Sequence, residues 1–145
     1  MPARTLSLSP TRPPHPLHAL LLAGSFPLFL GCALADWTYA ASYQVQWTNF
    51  AAWLNAGALL FCGLALLLAA IDVIRGAGRG IIYGLLLLAT FAIGLVNAFV
   101  HAKDAWGAMP AALILSVITA LLSAAATWAG LRTLRPYAAK AKGRA

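Results

Sequence analysis

FAAWLNAGALLFCGLALLLAAI, residues 50–71, carries no charged side chain. At 1.5 Å of rise per residue, about 20 apolar residues in a helix cross the ~30 Å hydrocarbon core of a bilayer. Three further runs meet the same requirement, at about 17–35, 81–100 and 109–131. The chain has 145 residues, 62% of them hydrophobic and 9% charged, with a mean hydropathy of +0.83. Soluble domains are nearer half apolar and a quarter charged. A fold this small has too much surface to hide the excess. The expected fold is all-α, a membrane-spanning antiparallel four-helix bundle over residues 14–133. Residues 1–13 are expected as a flexible cytoplasmic segment and 134–145 as a basic cytoplasmic tail.

Short connections favour antiparallel neighbours. The first covers about 36–49 and is polar and aromatic, the second is DVIRGAGRG at 72–80, and the third is HAKDAWGA at 101–108. Four spans put both termini on one side. That side receives Arg4, Arg12, Arg75, Arg79, Arg132, Arg135, Lys140, Lys142 and Arg144, and the other receives Lys103 alone. By the positive-inside rule, both termini of this multi-pass protein are expected in the cytoplasm, with the bacterial inner membrane as the site. The net charge of +7 sits at the ends of apolar runs, so it points to lipid and not to nucleic acid. Trp37, Tyr39, Tyr43, Trp47, Trp53 and Trp106 are expected as an aromatic belt at the outer interface. ALA at 33–35 fits a small-x-small cleavage site, and FLGC at 29–32 approaches a lipoprotein box with Phe where an aliphatic residue is usual. Pro27 and the length of the run favour retention of the first helix.

Polar groups in lipid are costly and need partners. Two clusters follow from the expected topology. His15, His18, Asp72 and Arg75 gather at the cytoplasmic end, with His18 and Asp72 as the expected contact. Asp36, Asn97, His101 and Asp104 gather at the outer end. Asn97, His101 and Asp104 fall at i, i+4 and i+7, on one helix face. Cys32 and Cys62 lack any metal-type spacing and are expected to pack as buried thiols, so no metal is expected. Haem in a bundle takes histidines from facing helices at one depth. His18 and His101 belong to opposite ends, so no cofactor is expected, and a b-type haem remains the alternative. Ser25, Ser116, Thr119, Ser123 and Thr127 are read as helix-packing hydroxyls. Small residues four apart, namely Gly31 with Ala35, Gly80 with Gly84, and Ser116 with Ala120 and Ala124, are expected to let helices approach closely.

HPLHALLLAGSFPLFLGCALAD, residues 15–36, resembles the opening of a bacterial four-helix integral membrane family, domain of unknown function twenty-two thirty-one. In that family the first helix opens with HPLHP, continues with His-Phe-Pro and ends at an acid. Here Ala19 stands for the second proline and Ser25 for the histidine before Phe26-Pro27. The third helix also lacks the histidine that relatives often carry near its start. Relatives fused or adjacent to electron-transfer domains imply a redox setting. The expected role is a non-catalytic accessory or interaction component of a membrane system. Its partners are the bilayer and either a membrane protein or a second copy of the chain. The alternative is a small redox or proton- or solute-conducting element using His18, Asp72, Asp36 and His101.

Overall fold

The computed structural model describes residues 16–76 and 81–132. Five helices occur there: α1 (Pro16–Ser42), α2 (Val45–Ile74), α3 (Ile81–His101), the single turn α4 (Ala105–Ala108) and α5 (Ala111–Arg132). Four of them are long and apolar enough to cross a membrane. No strand occurs among the described residues. His15, Arg79 and Gly80, the segment 1–13 and the tail 134–145 lie outside them.

α1 and α2 run further than the sequence suggests. The expected connection at 36–49 is almost wholly helical, with a break only between Ser42 and Val45. Asp36 therefore lies inside α1 and does not end it. Polarity alone does not stop a helix, and this stretch holds no Gly or Pro. Thr38 and Ser42 satisfy their hydroxyls on the helix itself, donating to the Leu34 and Thr38 carbonyls at 2.8 and 2.7 Å. The turn is made by Tyr43, at φ 57°, whose ring stacks on Trp106 at 5.6 Å. α2 stops at Gly76, whose φ of 71° is the left-handed conformation that glycine adopts at little cost.

α1 packs on α2 and α5, and α3 packs on the same two. Contacts give the directions. Gly24 and Gly31 of α1 lie against Phe61 and Leu54 of α2, so those helices run oppositely. Gly63 and Asn55 of α2 meet Phe91 and Gly94 of α3 in the same reversed sense. α1 and α3 are thus parallel and face each other across the bundle.

The side chains are arranged inside out relative to a soluble bundle. Large apolar residues such as Leu20, Leu67, Ile82 and Leu121 point outward. His18, Ser25, Asp36, Asn55, Thr90, Asn97, Ser116 and Ser123 are buried. Lipid explains this inversion, because it solvates Leu well and a hydroxyl or amide badly. The outer aromatic ring is partly as expected: Trp37, Tyr43, Trp53 and Trp106 are exposed, whereas Tyr39 is buried.

A repeat underlies the polar interior. Three side-chain contacts from α1 to α3 link positions 65 apart: His18 with Tyr83, Cys32 with Asn97, and Asp36 with His101. The same shift sets Leu20–Leu22 on Leu85–Leu87, Phe26 on Phe91, Leu30 on Leu95 and Ser25 on Thr90. It also sets buried Ala51, Asn55, Ala58 and Ala65 of α2 on buried Ser116, Ala120, Ser123 and Gly130 of α5. The α1–α2 hairpin and the α3–α5 hairpin are two copies of one pattern, related about the bundle axis.

Close approach depends on particular small residues. A Cβ on Gly130 would strike Leu22, and would lie 3.0 Å from the Tyr83 ring. Both neighbours are buried and cannot yield. Gly84, expected as a packing glycine, faces open space instead, with nothing within 4 Å of a built Cβ. Gly130→Leu is expected to destabilise the bundle by about 1–3 kcal/mol. Gly84→Ala is expected to be neutral or slightly stabilising. Unfolding in mixed micelles at fixed detergent fraction compares the two.

Candidate functional site

The two ends of the polar stripe differ. From His18 to Asp36 the axial distance is about 27 Å at 1.5 Å per residue. Each end therefore sits near one face of a ~30 Å hydrocarbon core.

At the first end, His18 Nε2 contacts the Tyr83 hydroxyl, with the rings 5.9 Å apart. The expected His18–Asp72 contact is not among the hydrogen bonds between described residues. Tyr83 meets His18 because it stands level with it on the facing helix. Asp72 is half-buried near the end of α2, and Arg75 is exposed.

The second end holds a denser centre, built by α1, α3 and α5. Asp36 is wholly buried at 0% exposure. Its Oδ1 lies 3.0 Å from His101 Nε2, and its Oδ2 accepts the hydroxyl of Ser116. Cys32, one turn before Asp36, places Sγ 3.3 Å from Ser116 Oγ and 3.9 Å from Asp36 Oδ2. Asn97 donates its amide to Ser116 Oγ at 2.9 Å. Asp36, Asn97 and His101 are thus brought together, and Asp104 is not: it is exposed at the start of α4. The α3 helix ends at His101, so the turn carries Asp104 out of the face that holds Asn97 and His101.

Proton positions follow from the partners. His101 Nδ1 lies 2.9 Å from the carbonyl of Asn97, which can only accept. Nδ1 therefore carries a proton, and Nε2 faces Asp36. One proton then lies between Nε2 and Oδ1. Whether it is written on the imidazole or on the carboxyl, the pair is neutral. A neutral pair suits a medium that disfavours net charge.

The centre contains Ser, His and Asp, but joined in the wrong order for a hydrolytic triad. There the histidine stands between serine and acid and takes the serine proton. Here the acid stands between them. Two surface pockets, one on the α1–α2 face and one on the α1–α5 face, are apolar, and no residue of the centre lines either.

Residues 14–141 match a family described as predicted membrane protein (DUF2231). The chain belongs to this family. The match covers all four spanning helices and both polar ends, so membership and the inside-out packing agree on a membrane protein. No curated protein and no solved structure matches the chain.

Cys32, Ser116 and Tyr83 were not singled out as site residues in the sequence. Cys32 lies four residues before Asp36, on the same helix face, and that spacing was the available signal. Ser116 gave none of its own, since it resembles the packing serines. Ser25, Thr119 and Thr127 do behave as such, donating to the carbonyls of Leu22, Leu115 and Leu22. His101→Ala leaves a buried carboxyl without its main partner and is expected to cost about 3–5 kcal/mol. Asp36→Asn keeps shape and polarity and is expected to cost less. Ser116→Ala is expected to cost about 1–3 kcal/mol. The same micelle unfolding assay ranks the three.

Proposed function

We propose that this protein is a non-catalytic component of the bacterial inner membrane, with both termini in the cytoplasm, that acts by binding at the Asp36 centre. The observation that carries this reading is a wholly buried carboxyl inside a membrane-spanning helix, held by side chains from two other helices. An ionisable group in a span is costly to keep, and such groups mark binding sites and ion or proton pathways. Binding is favoured over catalysis because the serine hydroxyl is committed to the acid. Conduction along the axis is the weaker reading, because buried Leu22, Phe29 and Leu87 fill the interior between the two polar ends.

The orientation rests on the charge count. Nine of the ten Lys and Arg fall on the side of the termini, leaving Lys103 opposite. The Asp36 centre is then on the outer half of the bilayer. A C-terminal fluorescent-protein fusion is expected to glow, and an alkaline phosphatase fusion at the same place to stay inactive. The reverse pattern contradicts the orientation.

The binding role is tested in cells lacking the protein, by competition against the parent strain across growth conditions. At equal membrane abundance Asp36→Asn and His101→Gln are expected to fail to complement, and Cys62→Ser to complement. Full complementation by Asp36→Asn reduces the centre to a bond that fixes helix register.

A further inference from the structure

The Asp36 centre holds three side chains whose chemistry goes beyond a hydrogen-bond network. One thiol sulfur, one carboxylate oxygen and one imidazole nitrogen, from Cys32, Asp36 and His101, all lie within 4.8 Å of one another. We propose that Cys32 Sγ, the Asp36 carboxylate and His101 Nε2 bind one divalent transition-metal ion of the zinc type within the span. This rests on the reading of the centre as a binding site and names its ligand.

The geometry is close to formed. Tetrahedral zinc, with bonds of about 2.0–2.3 Å, needs its ligand atoms about 3.4–3.6 Å apart. Here Nε2 and Oδ1 are 3.0 Å apart, and Sγ and Oδ2 are 3.9 Å apart. The two distances run to different oxygens of one carboxylate, and one ligand atom from each of the three residues lies within 4.8 Å of the others.

The surrounding bonds are those a metal site requires. A ligating histidine usually donates its other ring N–H to a carbonyl or carboxylate, which fixes the ring and the tautomer. His101 Nδ1 does this to the Asn97 carbonyl. A ligating carboxylate is usually hydrogen-bonded in turn, and Ser116 supplies that bond.

A fourth ligand is at hand. Asn97 is 1% exposed, yet its Oδ1 meets no donor among the described residues. Its amide nitrogen stands 4.0 Å from Cys32 Sγ. Turning the amide about its last torsion would offer that oxygen as a fourth ligand in exchange for the bond to Ser116.

Charge selects the class of ion. Without an ion the centre is counted as neutral: a thiol, and a His–Asp pair with one shared proton. On binding, the thiol proton and the shared proton leave, and a dication joins a thiolate, a carboxylate and a neutral imidazole. Two protons leave as two positive charges arrive, so the centre stays neutral in a medium that penalises net charge. Sulfur and nitrogen ligands favour zinc-like ions over magnesium or calcium, which take oxygen. His101 ends α3 next to the exposed residues Ala102 to Asp104, while its own side chain is 2% exposed.

The test uses the purified full chain in detergent, titrated with Co2+ as a coloured probe and then with Zn2+. One Co2+ per chain is expected, with a thiolate-to-metal charge-transfer band, release of about two protons, and displacement by Zn2+. Cys32→Ser is expected to lose the band and Asp36→Asn to lose binding. Ser116→Ala, which removes the supporting bond to Asp36 but no ligand atom, is expected to weaken binding about 10- to 100-fold. Cys62→Ser is expected to change nothing. Circular dichroism and elution volume show that each variant is folded.

Absence of the band in the folded parent protein, or a band that survives Cys32→Ser and vanishes with Cys62→Ser, overturns the proposal. Equal binding of Mg2+ does so too. If no metal binds while Asp36→Asn still fails to complement in cells, the metal assignment falls and the binding role of the centre stands. If Asp36→Asn complements fully, both fall.

Discussion

Lipid offers no hydrogen bonds, so every polar side chain within the span has to find its partner inside the protein. That constraint organises this bundle. It turns the polar stripe of α1 toward that of α3, and it sends Leu, Ile and Val outward. It also explains why the interior holds small and polar residues at the positions where a soluble bundle would hold its core. Once inward, the polar groups of α1 and α3 meet at equal levels because the two hairpins repeat at 65 positions.

The repeat makes the two ends comparable, and their differences are informative. The same pair of positions carries His18 and Tyr83 at one end. The other end carries Asp36 and His101, with Cys32 and Asn97 one turn further in. The first pair is a contact between an imidazole and a phenol. The second contains an acid that neither lipid nor an apolar neighbour can stabilise, so it recruits α5 through Ser116. A symmetric scaffold thus carries an asymmetric centre at one end, and that asymmetry is what separates a binding site from simple helix packing.

Much of the architecture was legible from residues alone. The four apolar runs are long, uncharged and separated by turn residues, and the helices fall where they do. The ends were less legible, because the 36–49 stretch looks like a loop by polarity but contains nothing that breaks a helix. The cluster of Asp36, Asn97 and His101 follows from helix spacing and antiparallel topology. The contribution of Ser116 does not, because only three-dimensional packing distinguishes it from Ser25. The contact of His18 with Tyr83 was not legible either, because it depends on the level at which the facing helix stands.

The contact between the His101 imidazole and the Asp36 carboxyl, inside the span, holds the centre together. Nitrogen-15 NMR of histidine-labelled protein in lipid bilayers reads it directly. The prediction is a His101 ring protonated at Nδ1 and slow to exchange with water, whose Nε2 signal moves on Asp36→Asn. A His101 signal that exchanges freely and ignores Asp36→Asn in a folded protein contradicts it.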